Sequence, residues 1–290
     1  YVQHIKQSIS GDLSDIKIAL DCANGATTGV APYIFGDLEA DIETIGCQPN
    51  GININDNVGS TKIDTISAFV KENNVDVGFA FDGDGDRVLA VDANGNIVDG
   101  DKIMFILAKH LKEQGELKDN MVVSTVMSNI GFYKAIEENG LQSVKTAVGD
   151  RYVVEEMRKN GYSLGGEQSG HIVLMNYATT GDGILTAVKL ANIIKSTGKS
   201  LEELASEVSI YPQKLVNIKV IDKKAAMEDS EILAECEKVE KELEGNGRIL
   251  LRASGTENLI RVMVEASSDE LTDKYCEQVA KIVREKFEVK

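Results

Sequence analysis

Three aspartates, Asp82, Asp84 and Asp86, alternate with two glycines in FAFDGDGDRVLAV (79–91), and Arg87 follows them at once. Like charges at that spacing between two apolar runs repel one another, so either a cation lies among them or the segment is a well-solvated turn. Glycines at 83 and 85 open backbone angles closed to other residues, which lets carboxylates at i, i+2 and i+4 turn toward one point. Hard divalent cations take oxygen ligands, and Mg2+ commonly takes a few carboxylates together with water or phosphate. An EF-hand does not fit, because its sixth position needs Gly and holds Arg87, and its twelfth needs Glu and holds Ala93. A simple Asp-Gly hairpin turn is the rival reading.

Further loops carry polar side chains in patterns that suit a ligand. In LGGEQSGHI (164–172), Glu167, Ser169 and His171 alternate among Gly165, Gly166 and Gly170. On an extended segment, alternation sends all three side chains to one side. A carboxylate beside a hydroxyl there suits a polyol such as a sugar. A polar turn between strands explains the same composition, and a lone histidine is most often structural. RASGTENLIR (252–261) sets Arg252 and Arg261 around Ser254, Gly255 and Thr256 after a strand. Such a loop can hold phosphate through backbone N–H groups, hydroxyls and guanidinium forks, although it lacks the P-loop order and a surface turn would look the same. TAVGDRYVVEEM (146–157) places Asp150 and Arg151 at a strand-to-helix junction. Asp150 there would cap the helix, and Arg151 could help hold an anion. A metal site, a hydroxyl reader and phosphate grips together predict a phosphorylated sugar as the ligand.

The elements that must position these loops follow a β-α-β-α-β rhythm up to about residue 97. KIALDCANG, EADIETIGC and VDVGFAFD read as strands, with helices at TTGVAPYIF and DTISAFVKENN. The polar QPNGININDNVGST (48–61) is a long loop of the kind that often carries function. A second cycle begins near Gly100 with the helix GDKIMFILAKHLKEQG, and YSLGGEQSGHIVLMN reads as two strands around a Gly-rich turn. From about Lys214 the order changes to strand, one charged helix ending at GNG, two adjoining strands and a last helix. That helix sets Leu271, Tyr275, Val279, Ile282 and Val283 on one face. Domains are therefore expected at 1–97, 98–212 and 213–290, two α/β and one small α+β.

Composition narrows the classes further. With 42% hydrophobic and 27% charged residues, the 290-residue chain has ordinary globular usage. No apolar run approaches the ~20 residues of a membrane span. A net charge of -16 argues against nucleic acid as a partner, while local arginines can still serve an anionic small molecule. Cys22, Cys47, Cys236 and Cys276 lie far apart in sequence without CxxC spacing, which fits reduced thiols and a cytoplasmic location. A start at Tyr1 with no signal-peptide features suggests a piece of a longer protein.

DGDGDR, GEQSGH and RASGTE, in this order, resemble the metal, sugar and phosphate loops of the α-D-phosphohexomutase superfamily. Gln168, NGININ, VGDRYV, TTGDG and LIRVMVE are most similar to its bacterial branch that interconverts glucosamine 6-phosphate and glucosamine 1-phosphate for cell-wall amino-sugar synthesis. The resemblance implies two successive α/β/α sheet domains and a small TBP-like C-terminal domain. It implies Mg2+ on Asp82, Asp84 and Asp86, with Arg87 supporting the active-site charge. Glu167, Ser169, His171 and Arg151 would then face the phosphorylated hexosamine, and Arg252, Ser254, Gly255, Thr256 and Arg261 would clamp its phosphate. In the family a phosphoserine gives its phosphoryl group to the sugar and recovers the other phosphate from the bisphosphate intermediate. That serine lies in a first domain with no counterpart in these residues, so the chain is expected to bind without turning over. Asn258 stands where the family usually has Pro, which is expected to loosen the phosphate loop, and Val58 and Lys62 replace a commonly seen Cys and His. Glucose or mannose phosphates as substrates, and a non-catalytic phosphosugar-binding protein, are the competing readings.

Overall fold

The computed structural model describes residues 1–255 and 257–289. The chain divides into two compact units, one of residues 1–128 and 132–209, the other of residues 129–131 and 210–290. Among the described residues, no helix is long and apolar enough to cross a membrane.

The first unit runs α1 (Val2–Lys6), β1 (Lys17–Asp21), α2 (Ala31–Asp37), β2 (Asp41–Ile45), α3 (Ile63–Asn73), β3 (Val77–Phe81), β4 (Val88–Asp92) and β5 (Ile97–Val98). It continues through α4 (Gly100–Glu113), β6 (Met121–Thr125), α5 (Ile130–Glu138), β7 (Gln142–Thr146), α6 (Asp150–Asn160), β8 (Leu164–Gly166), β9 (Ile172–Leu174), α7 (Gly183–Thr197) and α8 (Leu201–Ala205). The strands form two sheets, ordered β2-β1-β3-β4-β5 and β7-β6-β8-β9. In both, the first three strands are parallel and the next is a hairpin partner: β1 pairs β2 and β3 in parallel before β4 turns back, and β6 pairs β7 and β8 before β9 does. The two cycles therefore share one connectivity without sharing residues. DGDGDR closes the β3–β4 hairpin and EQSGH closes β8–β9, so the two loops occupy equivalent places in the two sheets.

Strand burial explains the apolar runs. Ile18 and Leu20 point into the main core, while Ala19 points to the opposite face under α3 with Ile66 and Val70. A strand covered on both faces reads as a continuous hydrophobic run instead of an alternation. Val123 meets Val153 and Met157 of α6 in the same way on the second sheet. The main core holds Phe79 and Val88 of one sheet together with Val122, Leu164 and Ile172 of the other, with α4 and α7 among them. α4 is buried along most of its length, as expected of a helix apolar on most sides.

The second unit contains β10 (Gln213–Lys219), α9 (Lys223–Glu228), α10 (Ser230–Glu242), β11 (Gly247–Ala253), β12 (Leu259–Ala266) and α11 (Asp269–Phe287). Its sheet is antiparallel, in the order β10-β12-β11. Ile218, Ile260, Val262 and Val264 pack with Tyr275, Cys276, Val279 and Val283, while Leu271 and Ile282 of the expected α11 face lie at its half-buried margin. The single charged helix expected here is two, because Asp229 leaves helical geometry to cap α10. Its carboxylate accepts from the N–H groups of Glu231 and Ile232, each at 3.1 Å.

Candidate active site

The β3–β4 turn sits at the carboxyl end of β3, where β1 leads to β2 on one side and β3 lies on the other. Such switch points are where open α/β sheets place ligands. Ligand oxygens of Asp82, Asp84 and Asp86 lie within 4.8 Å of one another, with Asp82 buried, Asp86 half-buried and Asp84 exposed. Asp82 shapes the turn: its Oδ1 accepts from the N–H groups of Gly85 and Arg87, both at 3.1 Å. Only Gly85 of the two glycines adopts a left-handed angle, φ +79°, the conformation in which glycine costs least. Gly83 is required for space instead, since a Cβ there would lie 2.8 Å from the Ile54 side chain and 2.9 Å from Asn55 Nδ2. Loop 48–61 thus packs against the acidic turn. The β1–α2 loop joins it from below, with the Ala26 N–H donating to the Gly83 carbonyl at 2.9 Å.

The cluster is electrostatically incomplete. Burial pushes the Asp82 carboxyl above the usual carboxylate range, and the adjoining Asp84 adds to the shift. Arg87 answers part of this, with Nε 2.9 Å from Asp82 Oδ2 and 3.5 Å from Asp86 Oδ1. Beyond that ion pair, Asp86 Oδ1 is buried without a hydrogen-bond donor among the described residues. Three converging carboxylates, one orphaned oxygen and a set of hard donors suit a divalent cation.

The β8–β9 turn supplies the second layer. His171, 5% exposed, accepts the Gly181 N–H at Nε2 (3.2 Å), so its proton resides on Nδ1 and donates to Asp86 Oδ2 at 3.1 Å. That bond fixes the orientation of one candidate ligand, a role outer groups often play at metal sites. His171→Ala should therefore lower Mn2+ affinity about 10–100-fold, read by the EPR signal of free Mn2+, while all three carboxylates remain.

The expectation that Glu167, Ser169 and His171 share one side of an extended segment is corrected by the structure. Gly170, at φ +93°, folds residues 167–170 into a turn closed by its own N–H on the Glu167 carbonyl at 3.0 Å. His171 consequently points at Asp86, Ser169 is exposed at the tip, and Glu167 Oε1 accepts the Gly149 N–H at 3.1 Å. That last bond brings the GDR loop beside Glu167. Asp150 does not cap α6, whose N-cap is Gly149 without a side-chain bond. Arg151 is turned along α6 to Glu155, 2.7 Å away, and is largely exposed. Gln168, a marker of the resemblance, donates through Nε2 to Asp99 Oδ2 at 3.2 Å, and Asp99 caps α4. Sequence reasoning missed Asp99, Gly100 and Gly181, all set against this turn. A Cβ on Gly181 would stand 2.5 Å from the His171 ring.

In the second unit, the β11–β12 turn carries the candidate phosphate loop. Arg252 and Arg261 are direct partners in the antiparallel register, so both guanidinium groups rise from one face. Burial, and then the charge of Arg261, lower the Arg252 pKa. Arg261 Nε is buried without a partner among the described residues. Ser254 Oγ accepts the Glu257 N–H at 3.2 Å, and Gly255 is exposed at the turn. Thr256 lies outside the described residues. Lys223, which sequence reasoning passed over, donates to the Ser254 carbonyl at 2.9 Å and the Glu257 carbonyl at 3.4 Å. Asn258 does not loosen this loop. Its side-chain amide donates to the carbonyls of Val220 at 2.8 Å and Ile221 at 3.3 Å, tying the turn to the end of β10.

Comparison with known proteins agrees with both units. Residues 1–95 match the family model for phosphoglucomutase/phosphomannomutase alpha/beta/alpha domain II, residues 99–211 that for alpha/beta/alpha domain III, and residues 215–282 that for the C-terminal domain. The phosphoglucosamine mutase of Anoxybacillus flavithermus is 61% identical over 287 residues, covering 99% of this chain and 64% of the relative. That of Geobacillus kaustophilus is 59% identical over 290 residues, covering all of this chain and 65% of the relative. The chain thus spans roughly two-thirds, and not more, of these curated relatives. Among solved structures, Aspergillus fumigatus N-acetylphosphoglucosamine mutase in complex with GlcNAc-6P and magnesium has a TM-score of 0.80 at 22% identity, covering 98% of this chain and 64% of that one. A phosphoglucomutase/phosphomannomutase family protein from Burkholderia thailandensis has a TM-score of 0.80 at 19% identity, covering 98% and 63%. The chain belongs to the phosphoglucomutase/phosphomannomutase family of phosphohexomutases, with matches to its domains II, III and C-terminal domain.

Proposed function

We propose that these residues are the metal-, sugar- and phosphate-binding part of a phosphoglucosamine mutase, which interconverts glucosamine 6-phosphate and glucosamine 1-phosphate for cell-wall amino-sugar synthesis in the cytoplasm. The observation that carries the reading is the bond from His171 to Asp86. It joins the sugar-loop candidate to the metal-loop candidate within the first unit. Asp82, Asp84 and Asp86 would hold Mg2+, and when bound that ion would supply charge stabilisation for a phosphoryl group in transfer. Arg87 balances the acidic turn and keeps Asp82 and Asp86 in place. Glu167 offers a carboxylate and Ser169 a hydroxyl to sugar hydroxyls, with Arg151 at the border of that surface. Arg252, Ser254, Gly255, Thr256 and Arg261 grip the phosphate monoester through charge-assisted bonds and backbone N–H groups.

Turnover needs a phosphoserine, which this reading assigns to a further domain. The 290 residues alone, given glucosamine 6-phosphate, the 1,6-bisphosphate and Mg2+, should produce no glucosamine 1-phosphate. The longer protein with its serine domain should turn over, with kcat/KM higher for glucosamine phosphate than for glucose or mannose phosphate. Turnover by the 290 residues would overturn the need for the serine domain. A preference for glucose or mannose phosphate would move the protein to another branch of the family.

A further inference from the structure

We propose that Cys22 and Cys47 form a dithiol site that peroxide converts to a reversible disulfide, beneath the loops that carry the acidic cluster. The two residues are 25 positions apart in sequence, but β1 and β2 are parallel neighbours paired through Asp21↔Ile45. Neighbouring strands lie about 4.8 Å apart, and one step past Asp21↔Ile45 the register sets Cys22 opposite Gly46, next to Cys47, while a disulfide needs Cα atoms ~4.4–6.8 Å apart. The chain keeps this pairing just past the strand ends. The Cys22 N–H donates to the Ile45 carbonyl at 3.1 Å, and the Cys47 thiol reaches the same oxygen at 3.4 Å. The Asn24 N–H continues the ladder onto the Gly46 carbonyl at 2.6 Å. The two thiols are near enough to shift each other's pKa in opposite directions.

Their environments differ in the way a two-step oxidation requires. Cys47 is half-buried and Cys22 fully buried. The neighbouring Cys22 thiol holds the Cys47 thiol below its ordinary range, whereas Cys47 and burial push Cys22 well above it. The Cys47 thiolate is thus the nucleophile that solvent reaches. It attacks one peroxide oxygen and breaks the O–O bond, giving a sulfenic acid and, with one proton, water. Cys22 sulfur then attacks the sulfenic sulfur, forming the S–S bond and expelling hydroxide, which leaves with the Cys22 proton as a second water. The two cysteines lose two electrons and two protons in all, and peroxide gains them. A dithiol reductant reverses the bond by exchange.

The position is also close to the acidic turn. The Cys22 carbonyl accepts the Gly25 N–H at 2.8 Å, and the next residue, Ala26, donates to Gly83. Cys236 and Cys276 belong to the second unit, where burial pushes each thiol up to about 11, so neither competes as a thiolate.

The test uses the reduced 290-residue chain, exposed to hydrogen peroxide while folded, alkylated, and measured by intact-mass and peptide mass spectrometry. The expected result is a loss of two hydrogens, alkylation of two thiols where the reduced chain shows four, and a cross-linked peptide joining Cys22 to Cys47 that dithiothreitol releases. In Cys22→Ser, the sulfenic acid should persist on Cys47 and be trapped by dimedone. Four alkylated thiols after peroxide treatment, or cross-links that involve Cys236, Cys276 or a second chain instead, would overturn the proposal. The unsubstituted chain carries the main readout, so it stands whether or not the variant folds.

Discussion

Asp82→Asn should lower Mn2+ affinity by at least about 100-fold, corresponding to ~2.8 kcal/mol at 1.4 kcal/mol per tenfold. Asp84→Asn should lower it less, by about 10–100-fold, because charge count sets affinity at such sites and Asp84 holds none of the described backbone bonds of the turn. The difference follows from what each carboxylate does. Asp84 is exposed at the turn, and among the described residues no hydrogen bond of the acidic loop's backbone depends on it. Asp82 is buried, and its Oδ1 holds the N–H groups of Gly85 and Arg87 while its Oδ2 meets Arg87 Nε at 2.9 Å. An amide at 82 can keep the first pair of bonds only by aiming its NH2 at the Arg87 guanidinium, donor against donor. Turning the amide over loses the backbone bonds. Either way the substitution removes a ligand charge and deforms the turn. Calorimetric titration with Mg2+ and EPR titration with Mn2+, each beside a thermal melt, separate the two effects. Asp84→Asn should melt like the parent chain and Asp82→Asn should not. Affinities within threefold of the parent in both variants would sink the metal reading of this cluster.

The acidic loop was legible in sequence because its two strands are buried on both faces, so apolar runs frame it on either side. The EQSGH hairpin was legible as two strands and a turn for the same reason. Its side-chain directions were not, because alternation assumes extended backbone and Gly170 takes the chain out of it at φ +93°. His171, as a lone histidine, reads from the sequence as structural. Its two partners, Asp86 and the Gly181 N–H, come from β3–β4 and from the segment before α7, and only the tertiary fold brings those segments to one ring. Gln168 served as a family marker, but its bond to Asp99 at the start of α4 needs the same long-range placement. Asn258 shows how a residue type misleads when read alone. The loss of proline's fixed angle suggested a looser loop, yet the side-chain amide replaces ring rigidity with two hydrogen bonds to the end of β10. The break at Asp229 was hidden because charged residues flank it on both sides and the helical period continues through it. The Cys22–Cys47 contact depends on strand order and register, which residue spacing does not encode.

Replacing Arg261 by Met should reduce affinity for a phosphate monoester about 10–100-fold, and replacing both Arg261 and Arg252 should abolish measurable binding. Two guanidinium groups placed opposite each other on adjacent strands repel, and like charges at that position are destabilising. Burial, and then the charge of Arg261, lower the Arg252 pKa, as that repulsion requires. Neither strand needs the pair for its ladder, since backbone bonds from Gly247↔Ala266 to Ala253↔Ile260 hold β11 to β12. A sheet that keeps such a pair, with Arg261 Nε buried and without a partner among the described residues, suits an oxyanion between the two side chains, as the proposed function requires. Charge-assisted, forked bonds to phosphate are among the strongest available to a side chain. The expectation can be told apart from a structural role by its sign. If the arginines serve anion binding, Arg261→Met relieves repulsion and leaves urea stability of the second unit equal or higher while binding falls. If they serve the fold, stability and binding fall together. Arg261→Lys should not restore affinity, because an ammonium keeps the charge but loses the planar fork. Amide chemical shifts of Ser254 and Gly255 during titration with glucosamine 6-phosphate give the affinity at the loop itself. Parent-like shifts in the double variant, or a stability loss matching the binding loss, would assign Arg252 and Arg261 to the fold and leave the phosphate grip to other groups.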